Sequence, residues 1–239
     1  MSDKAANSTI YPEIKICGIK DHRSLLHCGQ LDVTYVGFVF FEKSPRHLEF
    51  EQARALCDDC PGSLKKVGLF INPTRAQLES AIELGLDYIQ LHGQENPDFC
   101  AMVENELKRP VIKALGVSSA KDLERAQDYQ GSITRLLLDA KPPKGADLPG
   151  GNALSFDWRL LENKPLKMPF LLAGGLTPKT VCQGLSISGA IGVDVSSGVE
   201  SKRGVKSLAL ITEFCANARK AEKTKATVRV KIDLGAEFT

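Results

Sequence analysis

Residues 65–93 read KKVGLFINPTRAQLESAIELGLDYIQLHG and contain one complete strand–helix–strand unit. The apolar run KKVGLFI (65–71) predicts a strand, and YIQLHG (88–93) predicts the next one. The segment between them opens with a Pro-Thr helix-start signal, carries apolar residues at helical spacing and ends at Gly85. Two strands joined through a helix in this way pair in parallel with a right-handed crossover.

The same alternation continues in both directions along the chain. An amphipathic segment separates each strand from the next; SSAKDLERAQDY opens with a Ser/Asp capping pattern, and TPKTVCQGLSI places Thr177 before Pro178 at the first helical position. Eight such units without a large second domain favour a single closed (β/α)8 TIM barrel over an open doubly wound sheet. The predicted strands are EIKICGI (13–19), YVGFVFF (35–41), KKVGLFI (65–71), YIQLHG (88–93), PVIKALGV (110–117), RLLLDAK (135–141), PFLLAGG (169–175) and AIGVDVS (190–196).

Two segments interrupt the alternation. Residues 141–155 (KPPKGADLPGGNALS) are rich in Pro and Gly, and a loop of this length is usually functional or disordered. Residues 221–239 follow the last predicted helix; their VRVKIDL run alternates like a strand, but the barrel is already complete. We therefore expect one barrel domain over residues 1–220 and a C-terminal tail over 221–239, either partly ordered or disordered, with no assigned role.

Composition excludes several classes of function. The chain has 31 basic and 29 acidic residues, which is too balanced for a dedicated nucleic-acid binder. It has no apolar run approaching the ~20 residues of a membrane span, and its start does not resemble a signal peptide. Its seven scattered cysteines predict free thiols in a reducing, cytoplasmic compartment. The Cys57–Cys60 C-x-x-C lacks a second pair or a nearby His, so a structural role is favoured over metal or redox chemistry.

In a (β/α)8 barrel the active site lies at the C-terminal ends of the strands. The loops after strands seven and eight commonly bind phosphate there, because glycines let backbone N–H groups approach an anion. The alternative for each Gly-rich loop alone is a tight turn, but the two loops together predict a phosphate site. Its expected residues are Gly174, Gly175, Ser196, Ser197 and Gly198.

Cys17 and Asp139 are the candidate chemical groups. Cys17 ends the first strand just before a glycine, on the same face as Lys15. Asp139 ends the sixth strand after three leucines, and burial favours the protonated carboxyl that a general acid needs. Position alone leaves open a small buried hydrophobe for Cys17, and a solvated aspartate or helix cap for Asp139.

Other polar residues lie at or near strand ends. Arg46 follows the second strand, and its planar fork suits a carboxylate or phosphate unless it is simply exposed. His92 ends the fourth strand and is either a pocket residue or a core histidine. Lys15 and Asp194 occupy neighbouring strands of a closed barrel, which predicts a structural ion pair. Lys113 lies within the fifth strand without an evident partner.

These segments together resemble the phosphoribosylanthranilate isomerase family, barrel enzymes of tryptophan biosynthesis. The resemblance runs in family order over residues 13–220 and is most specific at KICG and DVSSGVE. The matching segments are KICGI (15–19), GFVFFEKSPR (37–46), VGLFIN (67–72), IQLHG (89–93), LLLDA (136–140), SFDW (155–158), LLAGGL (171–176), GVDVSSGVES (192–201) and GVKS (204–207).

The resemblance implies an Amadori rearrangement of a phosphorylated small molecule, N-(5-phosphoribosyl)anthranilate. Asp139 would be the general acid at the ring oxygen and Cys17 the general base at C2′, with Arg46 on the anthranilate carboxylate. The glycine and serine loops would bind the phosphate, and His92 and Asp194 would be pocket residues. No metal or other cofactor is expected, since the iminium intermediate is its own electron sink. Nucleic-acid and membrane partners are not expected. A monomer is favoured over a homodimer.

One residue departs from the family pattern. Ala153 stands where members usually carry a glycine, so the loop after strand six must adjust if that position needs a positive φ. Among enzymes, an aminoaldose isomerase of histidine biosynthesis would need an aspartate in place of Cys17. Indole-glycerol-phosphate synthase chemistry would need a Lys/Glu set, and a metal-dependent epimerase clustered histidines. A catalytically inactive barrel that only binds ligand would have lost one member of the pair.

Overall fold

The chain folds into a closed barrel of eight parallel strands. The computed structural model describes residues 11–141, 155–162 and 166–221. Strand eight pairs with strand one and closes the ring, with Lys15 opposite Asp194. The strands are β1 (Glu13–Cys17), β2 (Tyr35–Val39), β3 (Lys65–Phe70), β4 (Tyr88–Leu91), β5 (Val111–Val117), β6 (Arg135–Ala140), β7 (Phe170–Leu172) and β8 (Gly192–Val195).

All eight predicted strands are present, so the predicted closed barrel is confirmed. Helices follow the strands and cover the outside of the barrel. In the described residues they are α1 (His22–Gln30), α2 (Phe50–Asp58), α3 (Arg75–Ile82), α4 (Pro97–Asn105), α5 (Ala120–Glu124), α6 (Val181–Ser188) and α7 (Leu208–Arg219). None of these described helices is long and apolar enough to cross a membrane.

The start of α3 shows why this sequence forms a helix there. The Thr74 hydroxyl accepts a hydrogen bond from the Gln77 N–H, and the Gln77 side chain accepts one from the Thr74 N–H. This reciprocal capping box satisfies two N–H groups that the first helical turn leaves without partners. Gly85 has a φ of +73°, which lets the chain turn towards β4.

The predicted start of α6 is wrong by three residues. Thr177 and Pro178 were expected to open the helix, but the helix begins at Val181. The carbonyl of Thr177 accepts hydrogen bonds from the N–H groups of both Thr180 and Val181. Pro178 therefore lies in a turn that precedes the helix.

The sequence reading also missed a short hairpin after β8. Its strands are β9 (Glu200–Lys202) and β10 (Val205–Lys206), which pair antiparallel. A 3₁₀ turn over Ser197–Val199 leads from β8 into this hairpin. The hairpin therefore lies at the end of the barrel where the strands terminate.

The barrel interior is filled by alternate strand residues. A buried cluster inside the barrel contains Val67, Ile112, Leu137 and Leu171. At the N-terminal end of the strands, the Arg135 side chain pairs with Glu13 and lies 5.5 Å from the ring of Tyr35. This end is therefore closed by side chains, as expected of a packed barrel core.

Candidate active site

Cys17 and Asp139 lie at the same end of the barrel, at the ends of β1 and β6. Both side chains are buried. Around the ring the strands run β6, β7, β8 and β1, so the loops after β7 and β8 lie between the two groups. The fold therefore brings together the chemical pair and the two glycine-rich loops, as the strand-end positions predicted.

The Cys17 thiol lies among apolar and charged neighbours. It forms a buried cluster with Val39 and Leu69, so one side of the thiol contacts apolar side chains. Burial raises the pKa of Cys17; attraction to Lys15 lowers it in part, and repulsion from Asp194 adds to the rise. The net direction is upward, because burial outweighs the attraction to Lys15.

The predicted pair between Lys15 and Asp194 is confirmed. Lys15 Nζ lies 2.7 Å from Asp194 Oδ1, and both side chains are buried inside the barrel. Burial alone would lower the pKa of Lys15, but the neighbouring Asp194 carboxylate raises it above its ordinary value. Lys15 thus keeps its positive charge beside the thiol.

Asp139 is held by its backbone and faces His92. Its Oδ1 accepts a hydrogen bond of 2.8 Å from the Ala140 N–H, and its Oδ2 lies 3.5 Å from His92 Nε2. His92 Nδ1 in turn lies 3.3 Å from the side-chain amide nitrogen of Gln90. His92 therefore lies beside the candidate acid, and Gln90 is a neighbour that the sequence reading did not single out.

The loops after β7 and β8 pack backbone against backbone. Gly174 and Gly175 have φ values of +82° and +65°, which favour glycine. A side chain on Gly174 would lie 2.6 Å from the Ala140 nitrogen, and one on Gly198 would collide with the Leu176 carbonyl oxygen. Only glycine therefore fits at Gly174 and Gly198, where the loops approach neighbouring backbone this closely.

The serines predicted for the phosphate site are placed by the same loop. Ser196 follows β8, and its hydroxyl donates a 2.9 Å hydrogen bond to the carbonyl of Cys17. Ser197 opens the 3₁₀ turn that contains Gly198. The loop after β8 is thereby tied directly to the end of β1.

Arg46 is not the exposed loop arginine that the sequence left open. It is buried and forms a bidentate pair with Glu200, with Nε 2.7 Å from Oε1 and Nη2 3.0 Å from Oε2. Glu200 also accepts a 2.9 Å hydrogen bond from Lys206 Nζ. Glu200 and Lys206 lie in the GVDVSSGVES and GVKS segments, but nothing in the local pattern assigned them to Arg46.

Lys113, which had no evident partner in the sequence, is paired. Its Nζ lies 2.6 Å from Glu95 Oε2 and 5.8 Å from the ring centroid of Tyr129. Its neighbours in β5, Ile112 and Ala114, belong to the interior cluster, so Lys113 projects towards the helices. The pair lies outside the barrel interior and does not form an acid–base set with Cys17 or Asp139.

Other predicted features add little to the site. All seven cysteines are free thiols, including Cys57 and Cys60. Within residues 11–141, 155–162 and 166–221, no group of three or more His, Cys, Asp or Glu side chains could hold a metal ion. Ala153 and most of the loop after β6 lie outside the described residues, as do residues 222–239 of the predicted tail.

A closed eight-stranded barrel with a thiol, a carboxyl and two glycine-rich loops at one end defines a (β/α)8-barrel enzyme. The family model described as N-(5'phosphoribosyl)anthranilate (PRA) isomerase matches residues 14–217. The chain belongs to this family.

Individual relatives agree with the family match. The chain is 47% identical over 208 residues to the N-(5'-phosphoribosyl)anthranilate isomerase of Paramagnetospirillum magneticum, covering 87% of this chain and 97% of that protein. The crystal structure of the Thermotoga maritima enzyme superposes with a TM-score of 0.79 at 35% identity, over 87% of this chain and 99% of that one. A phosphoribosyl anthranilate isomerase in complex with reduced 1-(o-carboxyphenylamino)-1-deoxyribulose 5-phosphate gives a TM-score of 0.76 at 33% identity, with the same coverage.

Proposed function

We propose that the protein is a phosphoribosylanthranilate isomerase, which converts N-(5-phosphoribosyl)anthranilate into 1-(2-carboxyphenylamino)-1-deoxyribulose 5-phosphate. The observation that carries the proposal is the placement of Cys17 and Asp139 on either side of the β7 and β8 loops. A sugar whose phosphate binds those loops would have its reacting carbons between the thiol and the carboxyl. Family membership supports the same reaction.

Asp139 would act first, as the general acid. Its proton goes to the furanose ring oxygen, the C1′–O bond breaks, and the nitrogen lone pair forms an iminium at C1′. His92, which lies beside Asp139, would be a pocket residue that accepts or donates a hydrogen bond near the ring. A positioned acid of this kind contributes ~10²–10⁴-fold to the rate.

Cys17 would act second, as the general base. The iminium acidifies the C2′ proton, which the thiolate removes, and the electron pair forms the C1′=C2′ bond of an enolamine. Tautomerisation adds a proton at C1′ and removes one from the C2′ hydroxyl, so the net reaction is an isomerisation. Burial raises the pKa of Cys17 and so disfavours the thiolate that this step needs, while the positive charge of Lys15 beside it partly offsets that effect.

The remaining residues would bind the two ends of the substrate. Gly174, Gly175, Ser196, Ser197 and Gly198 would bind the phosphate. Arg46 would bind the anthranilate carboxylate through its guanidinium. Asp194, held by Lys15, would complete the pocket wall between the thiol and the β8 loop.

Loss of anthranilate fluorescence measures turnover directly and tests the pair. We expect Cys17→Ala and Asp139→Asn each to lower kcat by about 10²–10⁴-fold while both still bind a product analogue. Cys60→Ser is the matched control, because this half-buried thiol lies between α2 and β3, at the opposite end of the barrel from Cys17. If Cys17→Ala keeps near-wild-type activity, the assignment of the base is wrong. If the wild-type protein binds the analogue but shows no turnover, the protein is a binding module and not an enzyme.

We also propose a cytoplasmic monomer whose catalytic unit is residues 1–220. The balanced charge and seven free thiols support the compartment, and the barrel closes without a second copy. Light scattering at micromolar concentration should give the mass of one chain. Twice that mass would overturn the monomer.

A further inference from the structure

The Arg46–Glu200 pair uses a defined edge of the guanidinium. A guanidinium presents two edges to a carboxylate, one formed by Nε with one terminal nitrogen and one formed by the two terminal nitrogens. Glu200 occupies the first edge, through Nε at 2.7 Å and Nη2 at 3.0 Å. Within the described part of the chain, Nη1 of Arg46 makes no hydrogen bond. The edge that contains Nη1 thus stays available to a ligand.

Glu200 is itself fixed from two further directions. Its Oε1 accepts a hydrogen bond from Lys206 Nζ at 2.9 Å, and its Oε2 accepts one from the Gly204 N–H at 3.0 Å. Burial alone would raise the pKa of Glu200, but the hydrogen bond from Arg46 and the charge of Lys206 bring it down to about 2. Glu200 therefore stays ionised across the range in which an enzyme works.

The hairpin that carries Glu200 also contacts both neighbouring loops. Lys206 Nζ donates to the carbonyl of Ser196 at 2.9 Å, in the loop proposed to bind phosphate. A side chain on Gly204 would lie 2.7 Å from the Pro45 carbonyl oxygen, in the loop that carries Arg46. The hairpin thus sets the position of Arg46 relative to the phosphate loop.

The charges of this cluster leave a net attraction for an anion. Arg46 and Lys206 carry two positive charges and Glu200 one negative charge, and all three side chains are at most 6% exposed. A second carboxylate brought to Arg46 would make the cluster neutral. A buried cluster with one unmatched positive charge favours a ligand that supplies the missing anion.

We propose that Glu200 is a positioning residue that holds Arg46 with its Nη1–Nη2 edge towards the substrate carboxylate, and thereby sets the preference for carboxylate-bearing substrates. This inference rests on the proposed function. Without Glu200, the long arginine side chain would adopt several rotamers, and ordering it would cost part of the binding free energy. The effect of Glu200 should therefore depend on whether the ligand has a carboxylate.

Two ligands that differ in a single group test this dependence. Reduced 1-(o-carboxyphenylamino)-1-deoxyribulose 5-phosphate carries the carboxylate, and its phenylamino counterpart lacks it. Calorimetric titration would give Kd for both ligands with wild type, Glu200→Gln, Arg46→Ala and the double variant. Glu13→Gln is the matched control, since Glu13 is also paired with an arginine but lies at the opposite end of the barrel.

We expect wild type to prefer the carboxylate ligand by about 10- to 100-fold, as for hydrogen bonds to a charged group. Glu200→Gln should lose most of that preference while its Kd for the phenylamino ligand changes less than ~3-fold, and Arg46→Ala in addition should cause no further loss. Glu13→Gln should keep the preference. Because Glu200→Gln must be folded, its urea midpoint is measured alongside, and Glu200→Asp, which keeps the charge, should recover part of the preference.

Three results would overturn the inference. If Glu200→Gln raises Kd equally for both ligands, Glu200 is a structural residue. If Glu200→Gln leaves the preference for the carboxylate ligand unchanged, Arg46 does not need Glu200 to hold its position. A wild type that turns over the aminoaldose without preferring the carboxylate ligand would remove Arg46 from the carboxylate site. Failure of the proposed function is distinct, because then wild type itself consumes no substrate.

Discussion

Two of the buried lysine–carboxylate pairs in the described residues, Lys113–Glu95 and Lys15–Asp194, differ in what else surrounds the lysine. Lys113 Nζ donates to Glu95 and to the backbone carbonyls of Leu91 and Gly93, so all three of its N–H groups have acceptors. Lys15 makes one such bond, to Asp194, and lies beside the Cys17 thiol, whose pKa it lowers. The Lys113 side chain projects from the outer face of the barrel wall, towards the helices, whereas the Lys15 side chain projects into the barrel interior.

The difference separates structural charge from functional charge. A buried cation whose donors are all matched by protein acceptors can only fix local geometry, here the turn between β4 and α4. A buried cation next to an ionisable thiol shifts the equilibrium of that thiol. Substitution of Lys113 should therefore lower stability alone, whereas substitution of Lys15 should also lower the activity of each folded molecule.

The largest effect is expected from Lys113→Met. It leaves the Glu95 carboxylate buried and unpaired, which costs about 3–5 kcal/mol in the free energy of unfolding. Urea denaturation measures this loss, while kcat/KM per folded molecule should stay near wild type. In the double variant Lys113→Met/Glu95→Leu most of the stability should return. A fall in kcat/KM without loss of stability would instead place Lys113 in the active site.

Lys15→Met also leaves a buried carboxylate, Asp194, without its partner, so it should lower stability, and it should in addition act on chemistry. Removing the charge that lowers the pKa of Cys17 lets that pKa rise further, so less thiolate is present at neutral pH. We expect kcat/KM at pH 7 to fall about 10-fold for each unit of that rise, and the basic group in the pH profile to move to higher pH. The pH dependence of Cys17 alkylation measures the same shift without turnover. An unchanged alkylation profile would show that Lys15 serves only Asp194.

The smallest effect is expected at a third pair, Lys141 with Asp122, whose Nζ–Oδ1 distance is 2.9 Å. The Lys141 side chain is half exposed, so Lys141→Met should cost at most ~1 kcal/mol. Burial alone would raise the pKa of Asp122, but the hydrogen bonds from Lys141 and the Ser118 N–H outweigh that effect. The pKa of Asp122 is therefore below its ordinary value. A lowered folded-state pKa stabilises the protein above the unfolded value of ~4, and that contribution disappears as the pH falls through the folded value.

Urea unfolding of both proteins at pH 7 and in acid tests this sign. The difference in unfolding free energy between wild type and Lys141→Met should be complete at pH 7 and should shrink as the solution is acidified below ~4. A difference that grows in acid would mean that Asp122 is not the partner through which Lys141 stabilises the fold.

The sequence predicted those contacts that depend on the two-residue repeat of strands and on the order of strands around the barrel. Strand periodicity placed Cys17 and Asp139 at one end of the barrel, and ring closure made Lys15 and Asp194 neighbours. The contact between Arg46 and Glu200 joins residues 154 positions apart through a hairpin of very short strands, so no local period reports it. The outward direction of Lys113 was missed for a related reason, because β5 is buried on both faces and gives no alternation to read.

Gly198 lies against the Leu176 carbonyl with no room for a methyl group. The loops after β7 and β8 therefore pack directly against each other, although they come from separate stretches of the chain. A substitution that displaces one loop displaces the other, so sequence drift in this part of the barrel must occur in matched steps. Related sequences should therefore show covariation between residues 174–178 and 196–199, while the outer faces of the helices diverge independently.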